Sequence, residues 1–471
     1  MIKQTNQRAN LPVPDPAPQR SSRVDGPDLA ALLDGWASVG HGTLPRRLAH
    51  AVRRAVQAGV LPAGWQIPPE RHLAGELAVS RATVTEALDE LRREGLLSST
   101  QGRGTFVAGG ATPARMGTRV ADHLSGGRGI DLATGNPPDL SHLPPVEVDM
   151  SMLTADGGGP GMWPIGLPAM REAVAGLYCR GGFTGPPRLV GPEQIHITSG
   201  AHQAISLLVA GLVGRGGAVA LAHFNYPGIY DILDGGDARP VAVRTDRAAC
   251  PPGRLRALAQ IVDRHELAVI EDNTLAPLTF AAARPADGSS PVGMRDLCRS
   301  ANVVSVGSLS KACWAGLRIG WICGPEPLIE RTMYHRLALD LGPSAPSQLL
   351  GMGLLPHLDQ IVTERQRRLE EVVGLGVEHL TEVIPEAIVE RPEGGCVLWT
   401  EFPVADTGPL VQLARRHGVQ VAPGSISVPG RVAGPFVRIS VDRPSDLVRE
   451  GLDRLGRAWR EYNAASPRVL G

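Results

Sequence analysis

Lysine is almost missing from this chain. Of its 47 lysines and arginines, only Lys3 and Lys311 are lysines. Arginine supplies charge and paired hydrogen bonds but does not serve as an imine-forming amine, so a retained lysine is informative. Long apolar stretches are missing as well. No run of eighteen apolar residues occurs, which excludes a membrane-spanning helix. The N-terminus has no apolar core of the kind a secretion signal carries. The cysteines Cys179, Cys250, Cys298, Cys313, Cys323 and Cys396 form no C-x-x-C pair. That pattern excludes a zinc ribbon and a disulfide framework, and reduced thiols in a cytoplasmic protein are expected. Net charge is zero, so any contact with nucleic acid must come from a local patch. Internal repeats are absent, and 471 residues with 43% hydrophobic content suffice for two or three domains.

Lys311 sits within Val304–Trp321, VSVGSLSKACWAGLRIGW. Apolar Val303–Val306 reads as a buried strand ending just before it. A lysine amine condenses with an aldehyde with loss of water, the chemistry by which pyridoxal 5'-phosphate (PLP) is tethered. Ser308 and Ser310 offer hydroxyls and Arg318 a guanidinium, the groups a phosphate requires. The plain alternative is a surface lysine on a loop. The stretch resembles the Schiff-base segment of fold-type I aminotransferases, S-x-S-K followed by G-L-R-x-G. The resemblance implies that Lys311 carries the cofactor and that Ser308, Ser310 and Arg318 hold its phosphate.

Residues 1–40 open with a polar, proline-rich run and are expected to be a mobile tail. Residues 41–107 read as a separate unit. Thr43 can cap a helix whose apolar face holds Leu44, Leu48, Ala51, Val52, Ala55 and Val56. A short helix over Glu70–Leu77 follows Pro68-Pro69. A tight turn at Ala78–Ser80 leads to a third helix, Arg81–Glu94, with Val84, Ala87, Leu88 and Leu91 inward. Two short strands, Leu97–Thr100 and Thr105–Val107, flank the glycine-rich tip Gln101–Gly104. Three helices and a hairpin make a winged helix-turn-helix. Small polar residues Ser80, Thr83 and Thr85 at the start of the third helix would let it approach a duplex. Arg71, Arg81 and Arg103 could then reach phosphates or base edges. The unit holds nine arginines against six acids, which is the local patch that a neutral chain requires. A small helical interaction module is the alternative. The run from P-P-E-R-H-L-A through S-R-A-T-V-T-E-A-L-D-E-L-R-R-E-G-L-L to Q-G-R-G-T-F-V resembles the GntR-type winged helix along its whole length. It departs in Thr85, where many members have Arg, and in Pro69, where Ser or Ala is usual.

Residues 108–129 lack a periodic pattern and read as a flexible linker. Residues 130–465 alternate apolar strands with amphipathic helices, the sign of an α/β domain. Ile130–Ala133 is expected to be a strand before the turn Gly135-Asn136-Pro137-Pro138. Gln194–Thr198 is a strand, and the helix opening at Ser199-Gly200-Ala201 offers free amides to a phosphate. Tyr226, after the strand Ala218–Ala222, could stack on a flat ring or simply pack in the core. Asp272 closes another strand and could pair with a pyridinium nitrogen or cap a turn. Arg438, in the strand Phe436–Ser440, needs an anion, either a substrate carboxylate or a structural partner.

Together the halves resemble MocR-type regulators, which join a GntR-type winged helix to a fold-type I aminotransferase unit. By that resemblance Gly200 and Ala201 bind phosphate, Tyr226 stacks on the ring, Asp272 meets its nitrogen and Arg438 grips an amino-acid-like effector's carboxylate. It also implies a homodimer on double-stranded DNA. Two departures stand out. Thr274 occupies the place of a tyrosine that reaches the cofactor's phenolic oxygen. The N-P-T-G turn, whose Asn binds the same oxygen, occurs nowhere. Between Asp246 and Arg254 only a handful of residues remain, where a strand with its crossover takes about 30. The α/β domain is therefore expected to lack one interior strand. Three functions stay open: a PLP-responsive regulator, an aminotransferase with an attached DNA-binding module, and a regulator whose second domain is only a dimerisation scaffold.

Overall fold

The computed structural model describes residues 43–57, 65–93, 96–100, 104–107, 129–154, 161–181, 185–214, 216–243, 252–283, 292–299 and 303–465, with Leu29, Leu33, Trp36, Leu61 and Arg119 as single positions. The chain divides into two compact units, 1–113 and 114–471.

In the first unit α1 (Leu44–Gln57), α2 (Glu70–Glu76) and α3 (Arg81–Arg93) pack on one apolar core. Val84, Ala87, Leu88 and Leu91 all point inward, as their helical spacing predicts. Leu44 does not; it lies in the first turn and is exposed, while Ala49 takes an inward place. Ala78 has φ +54°, the left-handed residue that turns α2 into α3. The strands are β1 (Gln66–Ile67), β2 (Leu97–Thr100) and β3 (Gly104–Val107), in the antiparallel order β1-β3-β2. The hairpin thus has a third strand that the sequence pattern did not show. Leu29, Leu33 and Trp36, which lie in the segment read as a tail, are buried in this core.

The second unit opens with β4 (Ile130–Asp131), α4 (Pro168–Arg180), β5 (Ile195–Thr198), α5 (Ala201–Leu212) and β6 (Ala218–Ala222). There follow α6 (Pro227–Gly235), β7 (Arg239–Val243), α7 (Pro252–His265), β8 (Val269–Asp272), α8 (Met294–Leu297), β9 (Val303–Ser308) and β10 (Gly320–Cys323). Strands β5-β10-β9-β8 form one sheet in that order, with β8 and β9 parallel and β10 antiparallel to both neighbours. Every residue of β5, β9 and β10 is buried. Strands β6 and β7 pair in parallel but form a sheet of their own.

No described strand joins the two sheets. Only residues 244–251 separate β7 from α7, too few for a strand and its parallel crossover, which takes a dozen or more residues. The interior strand missing by length is thus missing from the described fold. Val241 and Val243 on β7 and Leu258 and Ile261 on α7 are exposed apolar side chains.

The remainder forms a smaller α/β layer. After α9 (Glu326–Leu337), α10 (Ala345–Leu354) and the long α11 (Leu358–Val383) come β11 (Ile388–Val389), β12 (Val397–Glu401), α12 (Gly408–Arg416), β13 (Val419–Gln420), β14 (Ala422–Pro423), β15 (Phe436–Ser440) and α13 (Ser445–Ala465). The antiparallel sheet β11-β12-β15-β14 packs on α11 and α13 through Leu369, Val373, Leu380, Leu398, Ile439 and Leu455. Arg365 of α11 is pinned to Asp442 by two bonds, 2.8 and 3.0 Å, with both side chains buried. That pair holds α11 against the segment that follows β15. Among the described residues no helix is long and apolar enough to cross a membrane, and no cluster could hold a metal ion.

Candidate functional site

Lys311 stands on the turn after β9, where the buried strand delivers it to the interior. Its Nζ donates to the carbonyl of Gly135 and to Asn136 Oδ1, the latter at 2.8 Å. Burial lowers its pKa, and neighbouring Arg438 pushes the same way against Cys396, Asp442 and Asp272. A lowered pKa increases the share of neutral amine, the form that attacks an aldehyde.

A cradle lies beside it. Ser308 Oγ donates to the Ile319 carbonyl at 3.0 Å, lies 3.0 Å from Ser310 Oγ, and accepts from the Ser310 amide at 3.1 Å. Arg318 has φ +54°, an uncommon conformation for a residue with a side chain. Its guanidinium donates to the Ser199 carbonyl. Gly200 has φ +98° and caps α5; a Cβ there would lie 3.1 Å from Arg318 Nη2. A Cβ on Gly320 would sit 2.7 Å from the Gly200 carbonyl carbon. The last glycine of G-L-R-x-G is therefore needed so that β10 can press against the start of α5. The first amides of α5, from Ala201 onward, have no partner within the helix and carry its positive end.

Arg438 enters from β15, opposite Trp399 on β12 and Ala422 on β14. Its Nη1 donates to the Ala133 carbonyl at 2.6 Å, and burial lowers its pKa. A Cβ on Gly135 would meet Cys396 Sγ at 3.1 Å and Arg438 Nη2 at 3.4 Å, so a side chain there would need these neighbours to give by a few tenths of an ångström. Arg443 secures this turn from behind, donating to the carbonyl of Asn136 at 3.1 Å and to Asp131 at 2.7 Å. The sequence reading passed over Asn136. The signal available was Gly-Asn-Pro-Pro directly after a short strand.

Tyr226 caps α6 and remains 40% exposed. Its hydroxyl lies 3.4 Å from His202 Nδ1, and burial raises its pKa. Asp272 ends β8, at the strand end where the sequence pattern puts it, and is exposed. Its Oδ1 accepts from the Thr274 amide at 3.0 Å and from Thr274 Oγ1 at 2.5 Å. Thr274, which replaces a tyrosine of the family pattern, thus serves the turn. Charges on Asp272, Arg318 and Arg438 all act on Tyr226, and those on Asp272 and Arg438 act on Lys311. Among the described residues Lys311, Arg318 and Arg438 are in no ion pair; their partners are carbonyls and one amide oxygen.

In the first unit Ser80 Oγ accepts from the Thr83 amide at 3.1 Å and shares a bond with Thr83 Oγ1 at 2.8 Å, a helix cap. Thr85 Oγ1 donates to Glu70 Oε2 at 2.9 Å, so that hydroxyl is engaged within the unit. Arg92 bridges Glu70, Ser99 and Thr105, tying α3 to the hairpin. Arg81 reaches outward with 72% side-chain exposure, 3.7 Å from Glu70, and Arg71 is exposed on α2. Arg103 lies outside the described residues.

Two family models match: bacterial regulatory proteins of the gntR family over residues 44–107, and aminotransferase class I and II over residues 248–455. The HTH-type transcriptional regulator YdfD of Bacillus subtilis (strain 168) is 25% identical, over 88% of this chain and 96% of its own length. MocR of Rhizobium meliloti is 27% identical, over 83% and 88%. Among solved structures, LysN, an α-aminoadipate aminotransferase from Thermus thermophilus complexed with N-(5'-phosphopyridoxyl)-L-leucine, aligns with TM-score 0.63 at 20% identity, over 74% of this chain and 96% of that one. The chain therefore joins a GntR-family helix-turn-helix domain to a fold-type I aminotransferase-like domain. Its homologues are MocR-type HTH transcriptional regulators.

Proposed function

We propose that the chain is a cytoplasmic transcription regulator that binds operator DNA as a homodimer and senses PLP, with an amino-acid-like effector, through its second unit. One observation carries the cofactor reading. Lys311 and Arg438 flank the turn at Gly135, Arg318 lies beside the free amides at the start of α5, and none of the three has a carboxylate partner among the described residues. Two half-buried cations, Lys311 and Arg438, and an exposed one, Arg318, all without counter-charges, call for an anionic ligand. A molecule with a phosphate, an aldehyde and a route to a carboxylate-bearing partner matches all three.

When bound, PLP supplies an electrophilic aldehyde and an electron-withdrawing ring. The chain's own residues then divide the work. Ser308, Ser310, Arg318 and the amides at Gly200 and Ala201 hold the phosphate. Lys311 offers a neutral amine, aimed by Gly135 and Asn136. Asp272 keeps one carboxylate oxygen clear of Thr274 for the ring nitrogen, Tyr226 covers a ring face, and Arg438 holds an effector carboxylate.

Regulation is favoured over turnover. The strand that would carry the N-P-T-G asparagine is missing from the described fold, and Thr274 is turned to Asp272, so two donors to the ring oxygen are lost. Transamination depends on near-exact placement of reacting groups, whereas sensing needs only binding.

On the DNA side Arg81 and Arg71 are the outward cations of α3 and α2. Duplexes selected by the full chain from a random library provide the test. Arg81→Ala should weaken binding at least tenfold and lower the salt slope by about 1, while helix content stays unchanged. Equal affinity of the two proteins across several salt concentrations would remove α3 from the interface.

A further inference from the structure

Arg119 belongs to the segment between the winged helix and the α/β unit, yet it is only 5% exposed. Its amide donates to Asp231 Oδ1 at 3.4 Å. Its Nη1 donates to the carbonyls of Val428 at 2.8 Å and Ile426 at 3.2 Å. The guanidinium lies over Tyr230, 4.3 Å from the ring centroid. Asp234 and Arg431 are the further charges acting on it. A cation–π contact, two carbonyl bonds and nearly full burial are more than a passive tether requires.

What Arg119 grips is the back of the ligand site. Tyr230 stands one turn along α6 from Tyr226, the helix cap. Its hydroxyl donates to the Ser427 carbonyl at 3.1 Å, which also accepts from the Asn225 amide at 2.9 Å. Ile426 packs in a small cluster with Ala133 and Ala422, and the Ala133 carbonyl accepts from Arg438. Arg119 therefore touches two short paths. One runs through α6 to Tyr226, the other through Ile426 and Ala133 to Arg438.

We infer that Arg119 is the anchor through which the ligand site acts on the segment leading to the winged helix. The inference rests on the PLP reading for its ligand. A ligand that draws Tyr226 or Arg438 toward itself shifts what Arg119 holds. The anchored end of the linker then differs between loaded and empty protein, and that difference gives DNA and ligand unequal affinities for the two states.

The experiment uses the full chain as wild type, Arg119→Gln and Arg119→Lys. PLP uptake is followed by absorbance, and DNA affinity is measured with and without saturating PLP. Glutamine removes the charge and the flat cation. The PLP response of DNA affinity should then fall to within twofold of none, while PLP uptake and PLP-free DNA affinity stay within twofold of wild type. Lysine keeps the charge over Tyr230 and should restore part of the response. Separately, without PLP, amide exchange in the peptide containing Arg119 should be at least tenfold slower in wild type than in Arg119→Gln. A wild-type response retained by Arg119→Gln, or equal exchange in the two proteins, overturns the inference. A wild-type protein that takes up no PLP sinks the cofactor reading and the coupling with it, and slow exchange would then show an anchor without a ligand to report.

Discussion

The two sheets of the α/β unit differ sharply. Strands β5, β9 and β10 are buried along their whole length, whereas β6 and β7 hold only partly and fully exposed positions. The first sheet carries Lys311, Ser308, Ser310, Arg318 and Gly200 at its strand ends. The second carries only Tyr226, and the missing interior strand lies between them. On the proposed reading the well-packed sheet would fix the tether and the phosphate cradle, and the poorly packed pair would present the ring contact. Such a division would keep capture of a ligand while losing the tight placement that turnover demands.

That contrast can be broken by substitution. Gly307 of β9 faces Trp321 so closely that a Cβ would sit 2.3 Å from the indole. Gly307→Ala should lower urea stability by about 2 kcal/mol, the usual scale of overpacking a closed core. No measurable change would mean that the buried sheet gives way as easily as the open pair.

Next in size is Gly200→Ala. It places a methyl against Arg318 at a positive φ, so PLP affinity should fall about tenfold, with about 1 kcal/mol of stability. Titration of the absorbance change measures the first and urea unfolding the second. Tyr226→Leu should weaken PLP by only about threefold, since the ring contact hangs from the exposed pair. A larger loss than for Gly200→Ala would reverse the assignment of the two halves. The smallest effect belongs to Val241→Ser on β7, 37% exposed, which should shift stability by less than about 0.5 kcal/mol.

Much of this arrangement was legible in the sequence because its cues are local. Helical spacing fixed the inward face of α3, and Pro69, Ala78 and Ser80 marked the ends of α2 and the start of α3. The lost interior strand could be read by holding the resembled family's pattern against the length here, since a crossover cannot be compressed into eight residues. Contacts distant in sequence were hidden. The β1 strand is two residues long beside Pro68-Pro69 and exists only because β3 pairs with it. Asn136 becomes a partner of Lys311 across 175 positions. Thr85 looks like a DNA contact by its place on α3, but Glu70 takes its hydroxyl. Arg119 sits in a segment of linker composition, and only the fold brings Tyr230 beneath it.

Capture of PLP by Lys311, across a divided sheet, can be measured directly. Purified chain should be mixed with PLP, treated with borohydride, digested and mapped by mass. A yellow absorbance with PLP and a reduced adduct confined to the peptide containing Lys311 are expected, both abolished in Lys311→Ala. Lys3, the other lysine, serves as the internal control. A protein that stays colourless at saturating PLP, or labels Lys3 and Lys311 alike, would contradict the account and leave the second unit as a scaffold.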